Sequence, residues 1–82
     1  MEKKQLEFDE FKKVLSDILG ISIEEIKFES VIYQDIGIDS LGLVNLGTKI
    51  QKIYDIEIPP AIIVDVKTIG DLYDCVKSVI ES

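Results

Sequence analysis

The sequence predicts an all-α protein, a small four-helix bundle with three longer helices, one short third helix and a long loop between helices one and two. Three segments repeat apolar residues at spacings of three and four, which is typical of helices that bury one face. Pro60 suits the first position of a further, short helix. Eighty-two residues are enough for one compact core, so we expect a single domain over residues 1–82.

The first helix is predicted between Gln5 and Leu19. Its apolar face consists of Phe8, Phe11, Leu15, Ile18 and Leu19. Gly20 is expected to end it, as glycine often does at the first position beyond a helix. Ser22 and Glu25 have the spacing of a capping box, which predicts a short helical turn.

The segment from Lys27 to Asp39 has no sustained helical period. We interpret it as a long ordered loop that joins the first two helices. The side chains expected to hold this loop against the core are Phe28, Ile32, Ile36 and Tyr33.

The second helix is predicted from about Ser40 to Tyr54. Its expected core face consists of Leu43, Leu46, Ile50, Ile53 and Tyr54. Pro60 then begins the short third helix, which should continue to about Val64. A strand within residues 56–66 is the alternative, because this stretch is rich in isoleucine and valine, but it has no convincing partner strand.

The final helix is predicted to begin after Thr68, whose hydroxyl suits a helix cap. Its apolar stripe consists of Ile69, Leu72, Tyr73, Val76, Val79 and Ile80.

The composition excludes several classes of function. Sixteen acidic residues against nine lysines give a net charge of −7, which disfavours nucleic acid as a partner and favours a positively charged protein. No apolar run is long enough for stable membrane insertion. One cysteine and no histidine predict neither an internal disulfide nor a zinc site, and we expect a cytoplasmic location.

The candidate site is the serine at position 40. Gly37 permits a tight bend before it, and Asp39 and Ser40 stand at the predicted start of the second helix. A phosphate ester at that position faces free backbone N–H groups and the positive end of the helix dipole. Taken alone, Asp-Ser at a helix start is more often a simple cap, worth about 1 kcal/mol.

Two other interpretations of this stretch fail on residue type. Asp35, Gly37 and Asp39 mimic the spacing of a calcium-binding loop, but Gly37 replaces an oxygen ligand and Leu46 stands where the bidentate glutamate is needed. Ser40 as a catalytic nucleophile lacks a histidine base.

The longer pattern resembles the acyl carrier protein family. Residues 35–41, DIGIDSL, are similar to the family's D-L-G-x-D-S-L, and residues 54–59, YDIEIP, to its F-G-I-x-I-P. Residues 68–72, TIGDL, resemble the T-V-G-D-L that opens the family's last helix. The spacing matches without gaps from Asp35 to Leu72.

This resemblance implies a carrier and not an enzyme. Ser40 is then the residue to which a phosphopantetheinyl transferase attaches 4'-phosphopantetheine from coenzyme A. Asp39 matches the aspartate that helps to position the transferase's magnesium ion, and Leu41 is an apolar contact beside the arm. Further implied partners are acyl-activating, condensing or acyl-transfer enzymes, and the chain is expected to be a monomer.

A docking surface is predicted beside the serine. Leu41, Val44 and Thr48 lie on the face of the second helix that is turned away from its core face. The residues assigned to partner recognition are Leu41, Val44, Thr48, Lys49, Ile62 and Ile63. Packing of the three helix-two residues under the long loop is an equally good alternative for them.

The second helix departs from the family pattern, because residues 40–54 contain Lys49 and Lys52 but no Asp or Glu. This favours a dedicated fatty acid, polyketide or other specialised pathway over the generic fatty acid synthase. Alternatives that remain open are a peptidyl or D-alanyl carrier, and an unmodified interaction module with the same fold.

Overall fold

The computed structural model describes residues 5–81 of the chain. In this range it forms four α-helices: α1, Phe8–Leu19; α2, Ser40–Tyr54; α3, Pro60–Ile63; and α4, Ile69–Glu81. Three longer helices and a short third one confirm the predicted all-α bundle. None of the helices within residues 5–81 combines the length and the apolar character needed to cross a membrane.

The helix ends follow from local chemistry. Gly20 ends α1 in the left-handed conformation with a φ of 70°. At its other end α1 begins at Phe8 and not at Gln5, because Glu7 has extended backbone. Leu6 is buried just before the helix, where its carbonyl oxygen accepts a hydrogen bond from the Tyr73 hydroxyl at 2.6 Å.

The predicted turn after α1 and the predicted caps are present. Ser22 and Glu25 form both halves of a capping box on one 3₁₀ turn, Ile23–Glu25. The Thr68 hydroxyl accepts the N–H of Asp71 at 3.0 Å in the first turn of α4. These caps satisfy amide groups that have no partner within their own helix.

The alternative of a strand within residues 56–66 is wrong. Residues 60–63 are helical, with Pro60 in the first turn of α3. The isolated antiparallel bridge of the described chain instead joins Val31 to Thr68, and so connects the long loop to the start of α4.

The core lies between the longer helices. Its buried apolar residues are Leu6, Phe11, Leu15, Ile26, Ile32, Leu43, Leu46, Ile50, Ile58, Ile63, Val66, Ile69, Leu72 and Val76. Ile53, expected on the core face of α2, is 52 % exposed, which corrects that expectation. Gly47 is buried under Ile63, and a Cβ at this position would stand 3.1 Å from Cδ1 of Ile63. The absence of a side chain therefore lets α3 pack closely on α2.

The long loop is ordered by its main chain. The N–H of Ile32 donates to the carbonyl oxygen of Lys67 at 2.9 Å, the N–H of Ile69 to that of Ser30 at 2.9 Å, and the N–H of Gly70 to that of Phe28 at 2.7 Å. These bonds fix the loop on the start of α4. They also provide hydrogen-bond partners for main-chain groups that lie outside any helix or sheet.

The side chains of the loop have different roles from those expected. Ile32 is fully buried and Ile36 half-buried, as predicted. Phe28 is 47 % exposed, although its ring packs against Phe8 and lies over Gly70. Tyr33 is 43 % exposed and does not anchor the loop in the core, because it lies on a single turn of π-helix, Ile32–Ile36, that turns it outward.

Candidate functional site

The amino end of α2 is built by Asp39. This residue is the N-cap, with extended backbone, and its Oδ1 accepts the N–H of Gly42 at 2.8 Å. Its carbonyl oxygen accepts the N–H of Leu43, also at 2.8 Å. A carboxylate at this position accepts a hydrogen bond from an amide that has no partner within the helix. Its negative charge also interacts favourably with the positive end of the helix dipole.

The Ser40 side chain is exposed at the first residue of this helix. Its Oγ lies 3.1 Å from the phenol oxygen of Tyr33, and either oxygen can donate the hydrogen bond. The hydroxyl is thus presented at the surface, as predicted. Sequence reasoning missed Tyr33 as a neighbour of the serine, because the curvature of a π-helical turn leaves no periodic pattern.

Two glycines determine how the long loop packs against the start of α2. Gly37 has a φ of 83°, a conformation that side chains rarely adopt, and its N–H donates to the carbonyl oxygen of Ile32 at 2.9 Å. Gly42 allows Ile38 to lie against the first turn of α2, since a Cβ there would stand 2.7 Å from Cγ2 of Ile38. These close contacts fix the direction in which Ser40 leaves the loop.

The carboxylates around the serine are bonded to main-chain amides. Asp35 Oδ2 accepts the N–H of Val31 at 2.7 Å, and Asp39 Oδ1 accepts that of Gly42. Both residues therefore stabilise local turns. This arrangement gives no support to the interpretation as a calcium loop, in which such oxygens point at a common centre.

An apolar strip follows Ser40 along α2. Leu41 is 72 % exposed, and Val44 and Thr48 are also exposed. The Thr48 hydroxyl donates back to the carbonyl oxygen of Val44 at 3.1 Å, so its methyl group adds to the strip. The alternative that these three residues pack under the long loop is therefore wrong.

The short helix α3 contributes only part of what was expected. Ile62 is exposed beside the strip's helix, whereas Ile63 is 3 % exposed and packs against Gly47. The assignment of Ile63 to a partner surface is corrected accordingly, since it belongs to the core. Successive residues of a helix point about 100° apart, and here Ile63 is turned inward while Ile62 is turned outward.

The charged side chains of α2 are all positive and lie at the surface. Lys49 and Lys52 are both at the surface, and the helix carries no acidic residue. The chain as a whole has a net charge of −7, so this helix differs in sign from the net charge of the chain.

A phosphodiester fits this site. The Ser40 hydroxyl is exposed, it stands at the positive end of a helix, and its neighbour Tyr33 offers a neutral donor. Leu41 borders the hydroxyl with an exposed apolar side chain that suits the aliphatic part of a pantetheine arm. The arrangement can accept a prosthetic group at the surface of a small helical protein.

Comparisons with known proteins agree with this class of site. The profile of the family described as the phosphopantetheine attachment site matches residues 9–76. The acyl carrier protein of Clostridium acetobutylicum is 37% identical over 71 residues, which cover 87% of this chain and 92% of that protein. That of Coprothermobacter proteolyticus is 32% identical over 78 residues, covering 95% and 94%, and that of Sulfurovum sp. is 35% identical over 72 residues, covering 88% and 96%.

The chain belongs to the acyl carrier protein family. Its prosthetic group is a covalently attached 4'-phosphopantetheine, which supplies a terminal thiol for thioester formation.

Proposed function

We propose that Ser40 carries the 4'-phosphopantetheine and that the chain, without catalysis of its own, holds acyl intermediates as thioesters for partner enzymes. The observation that supports this most directly is the exposed Ser40 hydroxyl at the amino end of α2. Attachment there leaves the arm free to move in solvent while the four helices stay unchanged. The cytoplasmic location remains a prediction.

A carrier needs only a tether and a recognition surface. The sequence contains no histidine, and the groups nearest to Ser40 serve as a cap and as a neutral hydrogen-bond partner. Activation of the serine is then the task of the phosphopantetheinyl transferase, and thioester chemistry that of acyl-activating, condensing or acyl-transfer enzymes. The residues of this chain contribute presentation and docking.

Intact-mass measurement tests the proposal. The purified chain is incubated with coenzyme A, magnesium and a promiscuous phosphopantetheinyl transferase. An increment of one phosphopantetheine, located on Ser40 by fragmentation, supports the carrier. An unchanged mass would favour an unmodified interaction module, and aminoacyl groups on protein from native cells would favour a peptidyl or D-alanyl carrier.

Substitution of Asp39 separates its two roles. Asp39→Asn keeps a capping oxygen, so we expect the free energy of unfolding to change by less than about 0.5 kcal/mol, whereas Asp39→Ala costs about 1 kcal/mol. Both variants lose the carboxylate that resembles the family's magnesium-positioning aspartate. Modification should slow by about tenfold or more in both, a typical loss for a group that orients a metal site. Normal modification of Asp39→Asn would leave Asp39 with the capping role alone.

The surface of α2 suggests the chemistry of the enzymes it serves. Leu41, Val44 and Ile62 are exposed and apolar, while Lys49 is exposed and positive. A partner that docks here needs an apolar surface with few cations, because like charges across an interface reduce association. We therefore propose a dedicated fatty acid, polyketide or other specialised pathway.

Charge reversal on α2 tests this partner class. Lys49→Glu with Lys52→Glu should change the association rate with cognate enzymes a few-fold at low salt, and the change should shrink as salt is added. Lys13→Glu, an exposed charge reversal on α1, is the control that should have little effect. Unchanged kinetics with every cognate enzyme would contradict the proposal.

A further inference from the structure

The Tyr33 side chain does not contribute to the core of the bundle. Its side chain is 43 % exposed, and its hydroxyl lies 3.1 Å from the Ser40 Oγ, across seven residues of chain. Because this exposed tyrosine is hydrogen-bonded to the Ser40 hydroxyl, it belongs to the candidate site and not to the core.

The backbone holds Tyr33 in this position from both sides. Its predecessor Ile32 is fully buried, and the Ile32 N–H donates to the carbonyl oxygen of Lys67 at 2.9 Å. After it, the N–H groups of Gly37 and Ile38 both donate to the carbonyl oxygen of Ile32, at 2.9 and 3.1 Å. The π-helical turn is therefore held by its own main-chain hydrogen bonds and by a bond to the segment before α4. The backbone that carries the Tyr33 side chain is thus fixed in position.

We infer that Tyr33 is a positioning residue for phosphopantetheine transfer, whose hydroxyl restricts the rotation of the Ser40 side chain and directs its Oγ outward. The inference rests on the proposed attachment at Ser40. A free serine side chain divides its time among three staggered rotamers. A hydrogen bond to a fixed partner favours one of them, and it places the attacking oxygen before the transferase binds.

The transfer step itself balances without an additional reagent. Ser40 Oγ bonds to the phosphorus of coenzyme A that carries the pantetheine, and the bond from that phosphorus to the oxygen of adenosine 3',5'-bisphosphate breaks. The serine proton leaves to a base of the transferase or to water. Tyr33 takes no part in this exchange beyond its hydrogen bond to Oγ.

A tyrosine suits this role better than a charged residue. Residues 28–48 contain no lysine or arginine, and Asp35 and Asp39 are nearby in the chain. A carboxylate in place of Tyr33 would repel the incoming diphosphate. A lysine would attract the phosphate itself and compete with the serine for it, whereas a phenol bonds the hydroxyl in either direction.

The test is the transfer kinetics of Tyr33→Phe, measured at saturating coenzyme A with the carrier varied. Removal of the phenol oxygen should lower kcat by roughly 3- to 10-fold, which corresponds to the loss of one exposed hydrogen bond and of one favoured rotamer. The KM for the carrier should stay within about twofold, because the ring and its exposed surface remain.

The control is Tyr54→Phe, which removes a phenol oxygen at the carboxyl end of α2, far along the helix from Ser40. It should transfer at the wild-type rate, and circular dichroism should show both variants folded. A kcat for Tyr33→Phe that is not lowered, or a loss that falls mainly on KM, would overturn the inference. Failure of the wild-type chain to be modified on Ser40 would instead overturn the proposed function, so the two failures are distinguishable.

Discussion

Ser40→Ala is expected to abolish uptake of phosphopantetheine while leaving the fold intact. The side chain is exposed and lies in the first turn of α2, so its removal creates no cavity. The loss of the surface hydrogen bond to Tyr33 should change the free energy of unfolding by less than about 0.5 kcal/mol. Intact mass after incubation with coenzyme A and the transferase, together with thermal melting, checks both parts.

Ser78→Ala is the matched control for that experiment. Ser78 is also exposed and also helical, but it lies on α4. We expect this variant to gain the full increment at the wild-type rate. If the Ser40→Ala protein gained the same increment, the arm would be attached elsewhere and the proposed site would be wrong.

The bounds of α2 could be predicted from the sequence because local signals agree at both ends. Asp39 is a strong capping residue at the start, and Asp55 ends the helix with a φ of 55°. Pro60 then starts α3 where its missing N–H costs nothing. Signals of this kind depend on a few neighbouring residues, so they are readable without knowledge of the fold.

Burial on the second and third helices was less predictable. Ile53 follows the helical period of the core face, yet it is 52 % exposed near the end of α2. Ile63 was expected at the surface with Ile62, but it fills the space that Gly47 leaves open. Both outcomes depend on where a neighbouring element lies, and that information is not local.

The site was predictable in part. Asp39, Ser40 and Leu41 were placed correctly at an exposed helix start, since their residue types and spacing carry the resemblance to the family. The hydrogen bond between Tyr33 and Ser40 was not predictable. It requires a π-helical turn and a main-chain connection to α4, and both arise from tertiary packing.

Cys75, the cysteine of the sequence, is half-buried on α4. Burial raises the pKa of its thiol above the ordinary value, which disfavours the reactive thiolate at neutral pH. This cysteine on α4 is therefore a poor competitor for the acyl groups that the arm should carry.

Ile32→Ala is expected to destabilise the protein more than any other single change on the long loop. Its side chain is fully buried in the core, whereas Ile36 on the same loop is only half-buried. Truncation of a buried isoleucine to alanine typically costs about 2–5 kcal/mol, because the apolar contacts are lost and a cavity remains. This is a large part of the roughly 5–15 kcal/mol by which small domains are stable.

Urea denaturation of Ile32→Ala beside Ile53→Ala measures this difference directly. The two changes remove the same atoms, but Ile53 is half exposed, so its loss should cost less than about 1 kcal/mol. Equal costs would contradict the burial assigned to these two isoleucines. A large cost at position 32 alone would show that the loop holding Tyr33 beside Ser40 depends on the burial of Ile32 as well as on its main-chain bonds to α4.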